Sequence, residues 1–144
     1  QYMLRCVELA KQTPKGIYKP HVGALVLSSK GIIIGEGYKH FLEGTGMIIH
    51  AERDALEKAV LEGTEGACLI TTLEPCIRAR QSQVLCSCAE LIVERGIDTV
   101  IYGILDKSPT VKGGVGVNYL RAHGINVHKI EDERTKRFIG MTLM

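Results

Sequence analysis

Two short apolar runs, Ala67–Leu73 (ACLITTL) and Thr99–Leu105 (TVIYGIL), constrain this chain more than any other feature. Neither shows the polar alternation of a half-solvated strand, so each predicts a central strand buried on both faces. A sheet buried on both faces needs helices above and below it, and the surrounding sequence supplies them. Met3, Leu4, Val7 and Ala10 lie on one face of a short helix that ends near Thr13–Gly16. Ala51, Ala55, Leu56, Ala59 and Val60 repeat at helical spacing until Gly63. Cys88–Arg95 and Val115–His123 read as helices stopped by Gly96 and Gly124, and the tail from Glu131 as a last helix. Three further strands are expected. His21–Ser29 and Ile32–Lys39 meet at a turn short enough for an antiparallel hairpin at one sheet edge, and Ile125–Ile130 closes the set. The pattern predicts an α/β fold, a three-layer α/β/α sandwich on a five-stranded mixed sheet, with an antiparallel first hairpin and the remaining strands parallel. No repeat or linker interrupts residues 1–144, which are expected to form a single domain.

Composition narrows the function. No apolar run approaches the roughly 20 residues of a membrane helix. A net charge of +2, 5% aromatic residues and no Trp make a weak case for a nucleic-acid partner and leave a small molecule as the expected one. Five cysteines, an odd number without a signal-like start, favour thiol or metal chemistry in a reducing, cytoplasmic setting over a disulfide framework.

The chemistry-bearing residues fall in order along these elements. Ile49-His50-Ala51-Glu52 opens the second helix, Thr72-Leu73-Glu74-Pro75-Cys76 follows the central strand, and Cys86 and Cys88 flank the start of the next helix. One imidazole, two thiolates and one carboxylate left off the metal make up the donor set of a catalytic zinc site, which keeps its fourth position for water. Such a zinc lowers the pKa of its water toward ~7, and an adjacent Glu moves the protons. Glu52, two residues beyond His50, points away from the ligand yet into the same pocket. Were His50, Cys76, Cys86 and Cys88 all to bind, the site would be closed and structural, as in a noncatalytic binding module. Cys6 and Cys68 fit as small core residues, and His123 and His128 as surface or edge residues. Arg78 and Arg80, between the cysteines, carry planar groups suited to a phosphate.

The order His-x-Glu then Pro-Cys and a later Cys is the signature of zinc deaminases, and the chain resembles the cytidine-deaminase-like superfamily over nearly its whole length. Asp106–Gly114 (DKSPTVKGG) and Ala122-His123-Gly124-Ile125 are similar to the pyrimidine deaminase domain of riboflavin biosynthesis. Pro20, Val22 and Gly23 keep that family's pattern, with Lys19 where Asn is usual, and Ile77–Gln81 replaces its histidine-rich stretch. The resemblance implies a zinc-dependent hydrolase with one Zn2+ per chain, held by His50, Cys76 and Cys88. Cys88 is preferred to Cys86 because it stands nine residues before Ile97, as the family's second cysteine does. Glu52 is then the proton carrier, and Lys39 or His40 takes the place of a substrate-contacting Asn or His. The implied reaction removes an exocyclic amine as ammonia from a free pyrimidine-type or related heterocyclic nucleotide or nucleoside, in a homo-oligomer. The nearest alternative is a base deaminase acting on nucleic acid, like the tRNA adenosine deaminases. Ending at Met144, the chain is expected to lack the reductase domain often fused to such deaminases.

Overall fold

In the computed structural model the residues described are 2–77, 87–105 and 114–144. Helix α1 (Tyr2–Ala10) leads into strands β1 (Gly23–Leu27) and β2 (Ile33–Tyr38), followed by two-residue strands β3 (His40–Phe41) and β4 (Ile48–Ile49). Helices α2 (Ala51–Lys58) and α3 (Leu61–Thr64) precede β5 (Cys68–Leu73), and α4 (Cys88–Glu94) precedes β6 (Thr99–Ile104). The chain closes with α5 (Val115–Ala122), β7 (Asn126–Lys129) and α6 (Glu133–Leu143).

The main sheet has five strands in the order β2-β1-β5-β6-β7. β1 runs antiparallel to both β2 and β5, while β5, β6 and β7 are parallel. The hairpin thus sits at one edge, and the two apolar runs lie at the centre and beside it, as their composition requires. Side chains alternate between two cores. Ala24, Val26, Leu69 and Val100 face α2, α4 and α5 through Ala55, Leu56, Ile92 and Leu120. Leu25, Leu27 and Ile70 face α1 and α6 through Cys6, Val7, Ile139 and Leu143. The result is the expected α/β/α sandwich. No helix among the described residues is long and apolar enough to cross a membrane.

Two departures from the sequence reading have physical causes. The helix expected to run to Gly63 breaks at Ala59 and Val60, both extended. Ala59 is still buried after the break, beside Gly35 of β2, so the apolar periodicity outlasts the helix. The loop around Glu43–Gly46 is the turn of the β3–β4 hairpin, with Gly44 and Gly46 at φ +80° and +73°. Strands of two residues are too short to leave a periodic trace.

The seat of α2 on β2 fixes the site. A Cβ on Gly37 would stand 2.5 Å from the Ala51 carbonyl oxygen and 2.5 Å from the Ala55 nitrogen, so only glycine lets the helix lie this close.

Candidate active site

Three segments converge beyond the end of β5. His50 is the N-cap of α2 with extended backbone, and its ring makes no capping bond. Its carbonyl accepts from Asp54 N–H at 3.0 Å, which starts the helix and leaves the imidazole for other work. Cys88 begins α4 behind a capping box: Glu90 N–H donates to Ser87 Oγ at 3.2 Å and Ser87 N–H to Glu90 Oε1 at 2.8 Å. Ala89 N–H donates to the Cys76 carbonyl at 2.9 Å, tying the first turn of α4 to the chain leaving β5.

The sulfurs of Cys76 and Cys88 each lie 3.6 Å from His50 Nδ1. Tetrahedral zinc, with Zn–S of about 2.3 Å and Zn–N of about 2.0 Å, makes the sulfur–nitrogen edge about 3.5 Å. The three donors therefore fit that ion, and they form the one His/Cys/Asp/Glu group of this kind among the described residues. Exposure grades across it from exposed His50 through half-buried Cys76 to buried Cys88, so the cluster opens on the imidazole side.

The electrostatics follow from burial and proximity. Without metal, the hydrogen bond from the Cys88 thiol holds Cys76 well below the ordinary thiol range, and Cys88 is raised as its partner. The bond to Cys76 raises His50. Glu52 is 4% exposed, and its carboxyl is pushed up to about 7, first by burial, with nearby Cys76 raising it further and His50 opposing. A carboxyl poised near neutral pH can accept a proton and give it back.

The remaining sequence candidates divide. Lys39 is buried, its Nζ donating to the carbonyls of Tyr18 at 3.1 Å and Pro20 at 3.0 Å and lying 4.2 Å from the centre of the Tyr18 ring. Its charge reaches Glu52 and His50. His40 Nε2 lies 3.3 Å from Asp54 Oδ1, and its backbone pairs with Ile49 beside His50. Arg78, Arg80 and Cys86 lie outside the described residues. Cys6 is buried and donates to the Ile70 carbonyl at 3.3 Å, Cys68 is half-buried, and His123 and His128 are exposed. Asp54, which also accepts from Tyr38 N–H at 3.2 Å, escaped the sequence reading. A carboxylate in a helix's first turn looks like an ordinary dipole partner, and its contact with His40 depends on the hairpin.

A profile of the cytidine and deoxycytidylate deaminase zinc-binding region matches residues 1–104. The chain is 38% identical over 128 residues to the riboflavin biosynthesis protein RibD of Actinobacillus pleuropneumoniae, covering 88% of this chain and 31% of that protein. It is 37% identical over 131 residues to the diaminohydroxyphosphoribosylamino-pyrimidine deaminase of Buchnera aphidicola, covering 88% of this chain and 80% of the other. A solved diaminohydroxyphosphoribosylaminopyrimidine deaminase/5-amino-6-(5-phosphoribosylamino)uracil reductase from Thermotoga maritima superposes with a TM-score of 0.75 at 38% identity, over 96% of this chain and 38% of that one. The chain thus spans about a third of the longer relatives it matches.

Proposed function

The chain belongs to the cytidine and deoxycytidylate deaminase zinc-binding family, and on that premise we propose that it is a hydrolytic deaminase of a free pyrimidine nucleotide, diaminohydroxyphosphoribosylaminopyrimidine being the first candidate. The carrying observation is the pair of 3.6 Å contacts from His50 Nδ1 to the Cys76 and Cys88 sulfurs, with the buried Glu52 carboxyl two residues from His50. The ion these donors suit supplies, when bound, Lewis-acid activation of water at neutral pH. His50, Cys76 and Cys88 hold it and leave one side open to substrate. Glu52 takes up the two protons of the attacking water in turn, giving one to the neighbouring ring nitrogen and one to the amine that leaves as ammonia, so the amine-bearing ring carbon ends as a carbonyl. Burial keeps competing water from the carboxyl and sets its affinity for the proton near the working pH. His40, oriented by Asp54, and the Lys39-supported Tyr18–Pro20 segment form the substrate side, and Arg78 and Arg80 meet a phosphate.

The names of the relatives supply the heterocycle, and the +2 net charge supports a small substrate over a nucleic-acid strand. A cytoplasmic setting suits the reduced Cys76 and Cys88 thiols, and a homo-oligomer suits the exposed Leu4, Phe138 and Met141 side chains. The test is ammonia release across diaminopyrimidine, cytosine, adenine and guanine compounds, free, phosphorylated and within RNA, with metal content followed in parallel. Preferred turnover of a phosphorylated free pyrimidine, lost in Glu52→Gln with zinc retained, is expected. Undiminished turnover by that variant, or preference for RNA, would reject the reading.

A further inference from the structure

Glu74 lies between β5 and Cys76 and is buried, at 3% exposure. One carboxylate oxygen, Oε1, accepts from Gly114 N–H at 3.0 Å, and the other, Oε2, from Val117 N–H at 3.1 Å. These are the N-cap and the first turn of α5, a helix whose own N-cap glycine offers no side-chain cap. The charge meets the positive end of the helix, and two charge-assisted bonds make up for its burial. The same corner is fixed through the backbone as well. Glu74 N–H donates to the Ile104 carbonyl at 2.9 Å at the end of β6. A Cβ on Gly116 would fall 1.9 Å from the Pro75 carbonyl oxygen, so the helix rests directly on the residue before Cys76.

Resting on the reading of Cys76 as a metal ligand, we propose that Glu74 is a positioning residue for the metal centre. Its carboxylate clamps the start of α5 onto the Pro75–Cys76 corner and so sets the direction from which the Cys76 sulfur meets the ion. A cap that served only α5 would have no reason to come from a residue 40 positions earlier whose next neighbour but one is a ligand. Gly116 is the other half of the clamp: any side chain there pushes on the Pro75 carbonyl.

Zinc-loaded whole-chain protein tests this with Glu74→Gln, Glu74→Ala and Gly116→Ala, each measured for zinc transfer to a chromophoric chelator, for kcat and KM per bound zinc, and for thermal midpoint. Glu74→Ala and Gly116→Ala are expected to speed zinc transfer about tenfold or more and to lower kcat while KM stays within about twofold. Glu74→Gln keeps one acceptor but turns an NH2 toward the second amide, so it falls between; it decides the matter if the alanine variants do not fold. Lower thermal midpoints with wild-type transfer rates and kcat would reduce Glu74 to a helix cap and overturn the proposal. A wild type that holds no zinc and releases no ammonia would instead overturn the deaminase reading and this proposal together.

Discussion

Replacing Gly37 with Ala probes the seat of α2 on β2 without removing a chemical group of the site. The new Cβ would stand 2.5 Å from both the Ala51 oxygen and the Ala55 nitrogen, and 2.7 Å from Asp54 Cβ. Two of these are backbone atoms and cannot rotate away. Restoring ordinary contact near 3.4 Å lifts the first turn of α2 from the sheet by about 0.9 Å. That turn begins at His50 and carries Glu52. Overpacking of this kind costs about 1–3 kcal/mol, which lowers the thermal midpoint by about 3–10 °C in a domain of this size. The 3.6 Å spacings between His50 Nδ1 and the sulfurs open toward about 4.5 Å, past the tetrahedral edge, and misplacement on this scale costs about a hundredfold in rate. The assays are chelator competition for zinc, steady-state ammonia release and a melting curve. Gly16→Ala, where no atom lies within 4 Å of the added Cβ, is the control and leaves all three unchanged. A Gly37→Ala protein with wild-type zinc affinity and kcat would refute the claim that this close approach sets the site.

Cys88→Ser is expected to lower bound zinc far more than Cys86→Ser, by metal analysis after dialysis; the reverse order would reassign the ligand. The Arg5–Glu36 pair, at 2.8 Å between side chains 44% and 30% exposed, joins α1 to β2, and the Arg5 hydrogen bond holds the Glu36 carboxyl below its ordinary value. Its stabilisation is therefore present above the unfolded carboxyl pKa and is lost as pH falls through the folded one. Glu36→Gln should cost about 0.2–1 kcal/mol at pH 7, shrinking as pH falls through the folded carboxyl's pKa, and a difference that does not shrink as the medium is acidified would contradict the pairing. Burial pushes the Cys6 thiol up to about 12. Iodoacetamide at pH 8 should spare Cys6 in native protein and modify it after unfolding, with peptide mass mapping as the readout; native labelling would mean that α1 opens.

The layers of the fold were legible because each signal is local. Ala67–Leu73 announces a doubly buried strand within seven letters, and β5 is such a strand, with Leu69 and Ile70 facing opposite cores. The convergence of His50, Cys76 and Cys88 was legible for the same reason, since each stands close to the start or end of an element that periodicity defines. What sequence hid was long-range and polar. Lys39 reads as a cation free to meet a substrate, yet its Nζ is committed to the Tyr18 and Pro20 carbonyls, and main-chain acceptors leave no trace in residue identity. Glu74 stands inside the Thr72–Cys76 motif, but its amide partners come after β6 and carry no side-chain signature.

The strand order has a consequence for the growing chain. β1 pairs with β2, only a turn away, and with β5, which arrives more than forty residues later. In the interval of synthesis before β5 emerges, a β1–β2 hairpin would leave one side of β1 open, a row of bare amides and carbonyls along Gly23–Leu27. That interval ends only when Cys68–Leu73 leaves the ribosome and docks. Slow translation between α2 and β5 lengthens it, and association through the naked β1 edge competes with folding in proportion.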